Sequence, residues 1–350
     1  MTFKQLLKTT DLENSFLIGY YGGGNYGDEL LLEVLQNLLA KQGVKNLTIA
    51  YQRPEAFSEM HKDFGFKRVL MYDKLKVLKT LLKNKNVIIG GGGLWGLDMN
   101  LNTFLLSVFL FIARIFGKKV YLLGVGYYSS TTTLGRIGAF LAAKSAAVIL
   151  ARDDESLQNF SRYTKKVHLD HDLSWATDEI DLNNYRSELA LIEKKIKISE
   201  KTVFIGLRHF KARHKNNFSL LMEQVIAANP NKQFIVALLE NKNVDTESYS
   251  YIQAWRQKYS NIQPLDFTHN PLGLFAFFQK HHRQLLAIAP QFHIIITAHL
   301  TSAPFLPVVY DNKVREMLKK AGVDETQHIA INDLQLSDVQ AFIDKHIKGD

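Results

Sequence analysis

The sequence predicts an α/β protein with two domains, each built on a parallel sheet, and a cleft between them. Short apolar segments alternate with helical segments in both halves of the chain, which is typical of parallel sheets with helical crossovers. Several apolar segments end in glycines, and ligands of such sheets bind at the carboxyl ends of the strands. Because 350 residues are many for one core, we expect domains at residues 1–177 and 178–350.

Residues 16–36, FLIGYYGGGNYGDELLLEVLQ, predict a strand, a glycine loop and a helix in succession. The strand covers residues 16–19 and the loop residues 20–25. Apolar residues then recur at helical spacing: Leu30, Leu31, Val34, Leu35 and Leu38. Such a loop can place backbone N–H groups against a ligand at the positive end of the helix dipole. It therefore predicts an anion or sugar site, with an ordinary βα turn as the alternative.

Two carboxylates, Asp28 and Glu29, follow the loop at the start of this helix. Acidic residues at that position stabilise a helix N-terminus. They also lie at the rim of the loop, where a bound hydroxyl group could reach them. Both interpretations, helix capping and ligand binding, remain open.

The glycines also fit the dinucleotide fingerprint G-x-G-x-x-G at Gly22, Gly24 and Gly27. That fingerprint needs an acidic residue at the end of the second strand, and none ends the segment near Tyr51. A nicotinamide cofactor is therefore the weaker interpretation.

Residues 47–52 predict a second strand, and residues 87–90 a third that enters the glycine run GGGG at 90–93. Two glycine loops at strand ends can face one crevice. The apolar run at 101–116 is too short and too polar for a confident membrane span. We expect a buried crossover helix there, with a membrane-surface helix as the alternative because basic residues follow it.

The remainder of the first half continues the βα series with strands at 120–124 and 147–150. A Ser/Thr-rich loop at 129–133 and a small-residue helix at 134–144 separate them. Arg152 follows the second of these strands, so it either points into the crevice or pairs with its acidic neighbours.

A sixth short strand is predicted at 167–173, and it carries His168, Asp170 and Asp172 on one face. These residue types bind metals. Three ligands on one strand are too close together for a good tetrahedron, so we do not favour a metal site there.

The polar stretch at 178–201 predicts a linker and the first helix of the second domain. A new βα series follows. Its predicted strands lie at 203–207, 234–238, 262–264, 286–289 and 305–309, and its clearest helices at 271–279 and 312–322.

The composition excludes several classes of protein. With 46% hydrophobic and 22% charged residues the chain is an ordinary globular protein. The absence of cysteine rules out disulfides, thiolate metal sites and cysteine nucleophiles. The first 15 residues lack the order of a signal peptide. We expect a cytoplasmic protein.

The net charge of +9 is concentrated in the first half. Residues 1–175 contain 22 Lys and Arg against 15 Asp and Glu, and residues 101–150 contain five basic residues and no acidic one. Such a basic region favours anionic ligands, phosphates or an anionic membrane surface. No recognition motif supports a nucleic-acid partner.

Eight motifs occur in the order found in the polysaccharide pyruvyl transferases, and the chain resembles that family from residue 19 to residue 314. The motifs are GYYGGGNYGDE (19–29), IIGGGGLWG (88–96), LGVG (123–126), LARDDES (150–156), DHDLSWA (170–176), GLR (206–208), FH (292–293) and Pro304 with YDNKV (310–314). Each motif is weak alone, but eight in order are specific.

The resemblance implies two Rossmann-like domains in a GT-B-like arrangement. It also implies transfer of the enolpyruvyl carbons of phosphoenolpyruvate to a cell-envelope saccharide as a pyruvate ketal, with release of phosphate and without a metal or cofactor. The acceptor could be lipid-linked, so peripheral membrane contact at the inner face of the cytoplasmic membrane is a further expectation. The oligomeric state is open.

The resemblance, together with the positions of residues at strand ends and in glycine loops, suggests roles for individual residues. His293 stands 17 residues before Tyr310, the family's interval, and is the expected proton donor. Asp28 is the second expected catalytic residue. The expected donor-binding residues are Arg208, Arg152, Gln291 and Lys313. The expected acceptor-binding residues are Gly23, Gly24, Asn25, Glu29, Gly92 and Gly93.

One position departs from the family pattern. Gln291 occupies the place of an arginine that normally helps to bind the anionic donor, and glutamine offers a neutral hydrogen bond in place of a bidentate cation. Arg208, Arg152 or Lys313 could compensate for it. Two alternative functions therefore stay open: a GT-B-like glycosyltransferase, and a catalytically inactive saccharide-binding relative.

Overall fold

The computed structural model of the chain describes residues 1–95, 101–128, 132–208, 218–266 and 270–347. The chain forms two compact units: Met1–Gly23 with Asp28–Ile180, and Gly24–Gly27 with Asp181–Asp350. Within the described residues each unit contains one parallel sheet flanked by helices. The predicted fold class, two parallel α/β sheets, is confirmed.

The first unit contains a seven-stranded sheet in its described part, with the order β3-β2-β1-β4-β5-β6-β7. The strands are β1 Ser15–Ile18, β2 Leu47–Tyr51, β3 Lys67–Leu70, β4 Asn86–Trp95, β5 Lys119–Tyr127, β6 Ala146–Ala151 and β7 Val167–Leu169. Its central strands read as continuous apolar runs because both faces are covered by other parts of the fold. Sequence reasoning missed β3, an edge strand with the sequence KRVL in which only Val69 is buried.

Helices connect these strands. They are α1 Phe3–Thr9, α2 Tyr26–Lys41, α3 Phe57–Met60, α4 Lys74–Lys83, α5 Leu101–Ile115, α6 Thr133–Ser145 and α7 Asp154–Ser161. The predicted apolar stripe of α2 is confirmed, since all five of its members are buried. Gly96 and residues 129–131 of the Ser/Thr-rich loop lie outside the described residues.

The helix predicted at 101–116 is the crossover α5 between β4 and β5, but the prediction that it is buried is wrong for most of its length. Only Ser107, Leu110 and Ala113 are buried, and Ile115 keeps 68% of its surface exposed. In the described part of the chain, no helix has both the length and the apolar character needed to cross a bilayer.

The second unit contains a six-stranded sheet in its described part, with the order β10-β9-β8-β11-β12-β13. The strands are β8 Thr202–Leu207, β9 Gln233–Leu238, β10 Ile262–Asp266, β11 Leu285–Ala289, β12 Phe305–Val309 and β13 Ile329–Ala330. The helices are α8 Arg186–Lys195, α9 Phe218–Ala228, α10 Thr246–Lys258, α11 Pro271–His281, α12 Phe292–Leu300, α13 Asn312–Lys320 and α14 Leu336–Ile347. The five strands and two helices predicted for this half are all present.

Parallel pairing determines where functional side chains lie. In the second unit β8, β11 and β12 are adjacent and parallel, so the residues that follow them meet at one edge of the sheet. Those residues are Arg208, Gln291 and Tyr310. In the first unit the same edge carries the glycine loops after β1 and within β4, and Arg152 after β6.

Candidate functional site

The first glycine loop is attached to helix α2 by a buried carboxylate. The backbone N–H of Gly22 donates to both carboxylate oxygens of Glu29, at 2.9 and 3.1 Å. Gly22 has a φ of +84°, a conformation that residues with a Cβ rarely adopt. Glu29 is fully buried, so its oxygens face the loop backbone and the interior of the first unit.

The imidazole of His61 lies between two carboxylates of α2. Its Nε2 is 2.9 Å from Glu29 Oε2 and its Nδ1 is 2.8 Å from Glu33 Oε2, and all three side chains are buried. Burial by itself lowers the pKa of His61, but hydrogen bonds and charges from Glu29 and Glu33 outweigh it and raise the pKa to about 9. The ring is therefore an imidazolium at neutral pH and donates to both glutamates.

Sequence reasoning missed His61. The available signal was the pair Glu29 and Glu33, which are one helical turn apart among the apolar positions of α2. Two carboxylates on a buried helix face require a partner. The sequence does not say which of its histidines supplies it.

Tyr21 connects the first glycine loop to the second. Its hydroxyl donates to the carbonyl oxygen of Gly90 at 2.7 Å, and β1 and β4 are neighbouring strands. A Cβ on Gly90 would overlap Leu35 and the Tyr21 hydroxyl. The two loops predicted to lie at one edge are therefore joined there by a hydrogen bond.

The predicted acceptor residues differ in how accessible their surroundings are. Among the residues that the structure describes, a Cβ on Gly92 would meet only the Leu94 side chain, at 3.8 Å or more. By contrast, a Cβ on Gly23 would come within 2.8 Å of the Tyr20 ring and 3.2 Å of the Gln52 amide. Asp28 is half-buried in the first turn of α2.

Arg152 is a buried ion-pair residue, with 6% of its surface exposed. Its Nη1 donates to Asp172 Oδ2 at 3.2 Å, its Nη2 donates to the Tyr128 hydroxyl at 2.6 Å, and its Nε is 3.6 Å from Asp153 Oδ2. Burial lowers the pKa of Arg152, but Tyr128, Asp172 and Asp153 raise it by more. The guanidinium is thus neutralised by carboxylates of its own unit.

Two glycines make room for this guanidinium. A Cβ on Gly93 would lie 3.0 Å from Arg152 Nη2, and a Cβ on Gly126 would lie 2.9 Å from Nε. These glycines belong to β4 and β5. The ends of β4, β5 and β6 therefore leave space for one buried guanidinium, that of Arg152.

The strand predicted at 167–173 is shorter than expected: β7 ends at Leu169. Asp170 accepts a hydrogen bond from the backbone N–H of Phe3 at 2.6 Å, while Asp172 pairs with Arg152 and accepts from Ser174. The two aspartates therefore have separate partners.

Residues Gly24–Gly27 belong to the second unit. The backbone N–H of Tyr26 donates to the carbonyl of Leu239 at 2.9 Å. The hydroxyl of Tyr26 is 2.8 Å from Thr297 Oγ1 on α12. Asn25 Oδ1 accepts from the N–H of Gly27 at 3.0 Å. A Cβ on Gly24 would lie 3.2 Å from Asn241. These contacts hold the segment against α12 and the loop after β9.

His293 lies in the first turn of α12, and its imidazole packs directly on Gly27. A Cβ at residue 27 would overlap the ring. The carbonyl of His293 accepts a hydrogen bond from Thr297 Oγ1 at 2.8 Å, the same hydroxyl that contacts Tyr26. The predicted proton donor is thus held by the segment that also carries the glycine motif.

Gln291 is the residue that precedes α12, and its side chain spans from β11 to β8. Its Nε2 donates to the carbonyl of Leu207 at 2.9 Å. Its Oε1 is buried and has no hydrogen-bond partner among the described residues. Gln291 therefore supports the peptide that leads into Arg208.

Arg208 and Lys313 both lie over the ring of Tyr310. The guanidinium carbon of Arg208 is 5.9 Å from the ring centroid, and Lys313 Nζ is 5.1 Å from it. Both distances fit cation–π contacts. A neighbouring cavity of about 240 Å³ is lined by Tyr310, Asp311 and Arg315 among others, but not by Arg208 or Lys313. Two of the predicted donor-binding cations are brought together here, and Arg315, which sequence reasoning missed, lies close by.

A sequence profile of the family described as polysaccharide pyruvyl transferase matches residues 25–312. The chain belongs to the polysaccharide pyruvyl transferase family. The matched range includes His293 and Arg208, together with the Tyr310 motif up to its Asn312. The family resemblance predicted from eight motifs is confirmed.

Solved structures similar to this pyruvyl transferase family member show a GT-B-like fold. UDP-GlcNAc 2-epimerase from Neisseria meningitidis, bound to UDP-GlcNAc, has a TM-score of 0.61 at 15% identity over 95% of this chain and 94% of its own. The Methanocaldococcus jannaschii UDP-GlcNAc 2-epimerase has 0.58 at 12% over 95% and 91%. Anabaena HepE in complex with UDP and glucose has 0.50 at 13% over 95% and 94%. No curated protein sequence matches the chain.

The buried imidazolium of His61 makes stability depend on pH. Its pKa of about 9 in the folded chain exceeds the ordinary value of 6.5, so the stabilisation is complete below about pH 6.5 and is lost as the pH rises through about 9. We expect the free energy of unfolding to fall by up to about 3 kcal/mol over that interval. Urea unfolding at a series of pH values measures it.

The variant His61→Gln should remove most of this pH dependence, because an amide does not titrate. His282→Gln, at a half-buried histidine after α11, is the matched control and should keep it. A wild-type stability that is flat over the interval would contradict the charged state of His61.

The packing of His293 on Gly27 predicts an unusual response to alanine. Glycine to alanine within a helix normally stabilises by up to about 1 kcal/mol, but the added Cβ of Gly27→Ala overlaps the imidazole, so we expect a loss of about 1–3 kcal/mol. In a His293→Ala background the loss should largely disappear. Urea unfolding of the four proteins of this cycle measures the coupling, and additive effects would mean that the ring does not rest on Gly27.

Proposed function

We propose that this protein transfers the pyruvyl group of phosphoenolpyruvate to a cell-envelope saccharide as a ketal. Family membership supports a transferase that acts on a saccharide. The observation that carries the choice of donor is the pair of cations over Tyr310. The donor bears a carboxylate and a phosphate, and such a ligand requires fixed positive charge.

The donor is assigned to the edge of the second sheet. Arg208 follows β8, and Lys313 is in the first turn of α13, where the helix dipole also favours an anion. In this assignment the guanidinium of Arg208 binds one anionic group bidentately and Lys313 neutralises the other. Gln291 acts through the Leu207 carbonyl, so it positions Arg208.

The reaction follows from the chemistry of the donor. A saccharide hydroxyl adds to C2 of the enol while C3 receives a proton, the C2–O bond to phosphate breaks, and a second hydroxyl adds to C2 to close the ketal. Of the two hydroxyl protons, one ends on C3 and the other on phosphate. We assign the proton delivered to C3 to His293, because an imidazole can give up and recover a proton near neutral pH.

The acceptor saccharide is assigned to the glycine loops of the first unit and to Asn25. Gly92 is partly exposed, and half-buried Asp28 can accept the proton of an attacking hydroxyl. The buried Glu29 does not touch the sugar in this assignment, since it holds the N–H of Gly22. Arg152, paired with Asp172 and Asp153, shapes the loop ends.

The reaction is assigned to the cytoplasm and requires no metal or cofactor.

The direct test is saccharide-dependent release of phosphate from phosphoenolpyruvate. Purified protein is incubated with the donor and a panel of envelope saccharides, with and without EDTA, and ketal products are identified by mass spectrometry. We expect phosphate only with both substrates, in equal amount to the ketal and unchanged by EDTA. Phosphate release without an acceptor, or none with any saccharide, would count against the proposal.

A second candidate is a glycosyltransferase that uses a nucleotide sugar. The favouring observation is that proteins of similar fold have been solved with UDP-GlcNAc, or with UDP and glucose, bound. The same panel with UDP-sugars in place of phosphoenolpyruvate distinguishes them by release of UDP. A catalytically inactive saccharide-binding relative, which Gln291 favours, would bind saccharide and release neither product.

Removal of the proton donor should affect turnover more than binding. We expect His293→Gln to lower kcat by roughly 10²–10⁴-fold, the usual contribution of a general acid, with little change in donor affinity. The phosphate-release assay measures it. His282→Gln is the control with the same chemical change and should retain full activity. Activity of His293→Gln close to wild type would remove this residue from the mechanism.

Helix α13 offers a matched pair for testing the donor site. Lys313 lies over Tyr310, while Lys319 on the same helix is exposed. We expect Lys313→Gln to weaken phosphoenolpyruvate binding by at least about 1 kcal/mol, roughly fivefold, and Lys319→Gln to leave it unchanged. Isothermal titration calorimetry measures both. Equal affinities of the two variants for phosphoenolpyruvate would contradict the assignment of the donor to the site beside Tyr310.

A further inference from the structure

Three helices of the first unit lie side by side on one face of its sheet. The connections from β3 to β4, β4 to β5 and β5 to β6 all run in the same direction along the sheet, so right-handed crossovers place α4, α5 and α6 on the same face. One hydrophobic cluster confirms this, because it joins Leu81, Leu110 and Ala139 from the three helices to the strands.

The outer sides of these helices are unusually apolar. Leucine, isoleucine and phenylalanine side chains recur there at helical spacing and are exposed, with Leu75 at 72% and Ile115 at 68%. We call this surface the outer face. Its exposed apolar members are Leu75, Leu78, Leu82, Leu101, Leu105, Phe111, Ile112, Ile115, Phe116, Leu134, Ile137 and Phe140. Exposed apolar side chains grouped in this way on neighbouring helices mark an interaction site.

The same three helices contain only positive charge. Seven basic residues and no acidic one occur within them: Lys74, Lys76, Lys79, Lys83, Arg114, Arg136 and Lys144. All four lysines of α4 are exposed. The whole chain has a net charge of +9, so these helices supply most of its excess.

Basic and apolar groups are interleaved on the outer face. Lys144 Nζ lies 5.7 Å from the ring centroid of Phe140, one turn earlier on α6. On α4, the exposed leucines alternate along the sequence with lysines. Lys118, just after α5, instead donates to the carbonyl of Leu82 at 2.7 Å, which joins the ends of α4 and α5.

We infer that the outer face docks on the surface of an anionic lipid bilayer. Exposed Leu, Ile and Phe side chains enter the boundary between headgroups and acyl chains, and lysines among them meet the acidic headgroups. Both groups contribute to binding. The basic side chains attract the face to the anionic membrane, and the apolar side chains are then buried in it. This inference concerns the first unit only and does not depend on the activity proposed above.

Charge distinguishes the bilayer from other occupants. A second copy of the chain on a two-fold axis would place this face against itself. The basic residues of α4, α5 and α6 would then oppose like charges, since Asp73, which pairs with Lys76 at the start of α4, offsets only one of them. A nucleic acid would satisfy the lysines but leave the exposed leucines and phenylalanines without an apolar partner. Only a surface that is both anionic and apolar matches both sets of side chains.

The test is co-sedimentation of the full chain with lipid vesicles, either phosphatidylcholine alone or with about a third phosphatidylglycerol. One variant removes charge: Lys74→Gln, Lys79→Gln and Lys83→Gln together. A second removes apolar surface: Ile115→Ser with Phe116→Ser. Controls on exposed residues of the second unit match each change: Lys194→Gln, Lys319→Gln and Lys345→Gln for charge, and Leu191→Ser with Val244→Ser for apolar surface.

We expect binding to the anionic vesicles that weakens at high salt. The three-lysine variant should lower the partition coefficient by roughly 100-fold, at about 1 kcal/mol for each lysine. The Ile115 and Phe116 variant should lower it by roughly 10- to 100-fold, and both controls should bind like wild type. Thermal unfolding verifies that every variant is folded.

Three results would overturn the inference. One is no binding to anionic vesicles at low salt. Another is an equal loss of binding in a variant and its matched control. The third combines two observations: the protein does not bind vesicles, and sedimentation equilibrium shows a dimer that the changes at Ile115 and Phe116 abolish. In that case the outer face would be a contact between two copies of the chain. Because the lysine variant alters only exposed side chains, it keeps the test decisive even where the apolar variant unfolds.

Discussion

The conformation of the first glycine loop depends on one buried carboxylate. Glu29 accepts two hydrogen bonds from the N–H of Gly22 and a third from the imidazolium of His61. A buried anion without such partners would be strongly unfavourable. The imidazolium of His61 offsets part of the negative charge of Glu29 and Glu33, and α2, the loop and the chain after α3 are thereby held in one arrangement. The glycines allow the loop several conformations, and the contacts of Glu29 with Gly22 and His61 stabilise the one observed.

In the second unit two cations share one aromatic ring. Its cations, Arg208 and Lys313, rest on the face of Tyr310, whereas Arg152 in the first unit is surrounded by Asp172 and Asp153. A cation–π contact with an aromatic face stabilises a cation. This contrast is the reason why Arg208 and Lys313 are assigned to the donor in the proposed function and Arg152 is not.

Most secondary structure could be predicted from the sequence, because it follows from local patterns. Continuous apolar runs identified the central strands, and helical spacing identified α2. The failures have local causes as well. The strand β3 has one buried residue, so it shows neither alternation nor an apolar run. The helix α5 looked like a core helix because periodicity cannot tell whether the second side of an apolar helix is covered.

By itself the sequence determined the fold class, the family, the strand ends at which Arg208 and Arg152 would lie, and the motif that contains Gln291 and His293. Only the tertiary structure decided what each of them contacts. In the structure Arg152 pairs with carboxylates, and Gln291 donates to the Leu207 carbonyl. His293 packs on Gly27, and His61 binds Glu29. The physical reason is that periodicity and turn chemistry are properties of neighbours in the chain, whereas hydrogen-bond and charge partners depend on the order in which distant strands pair.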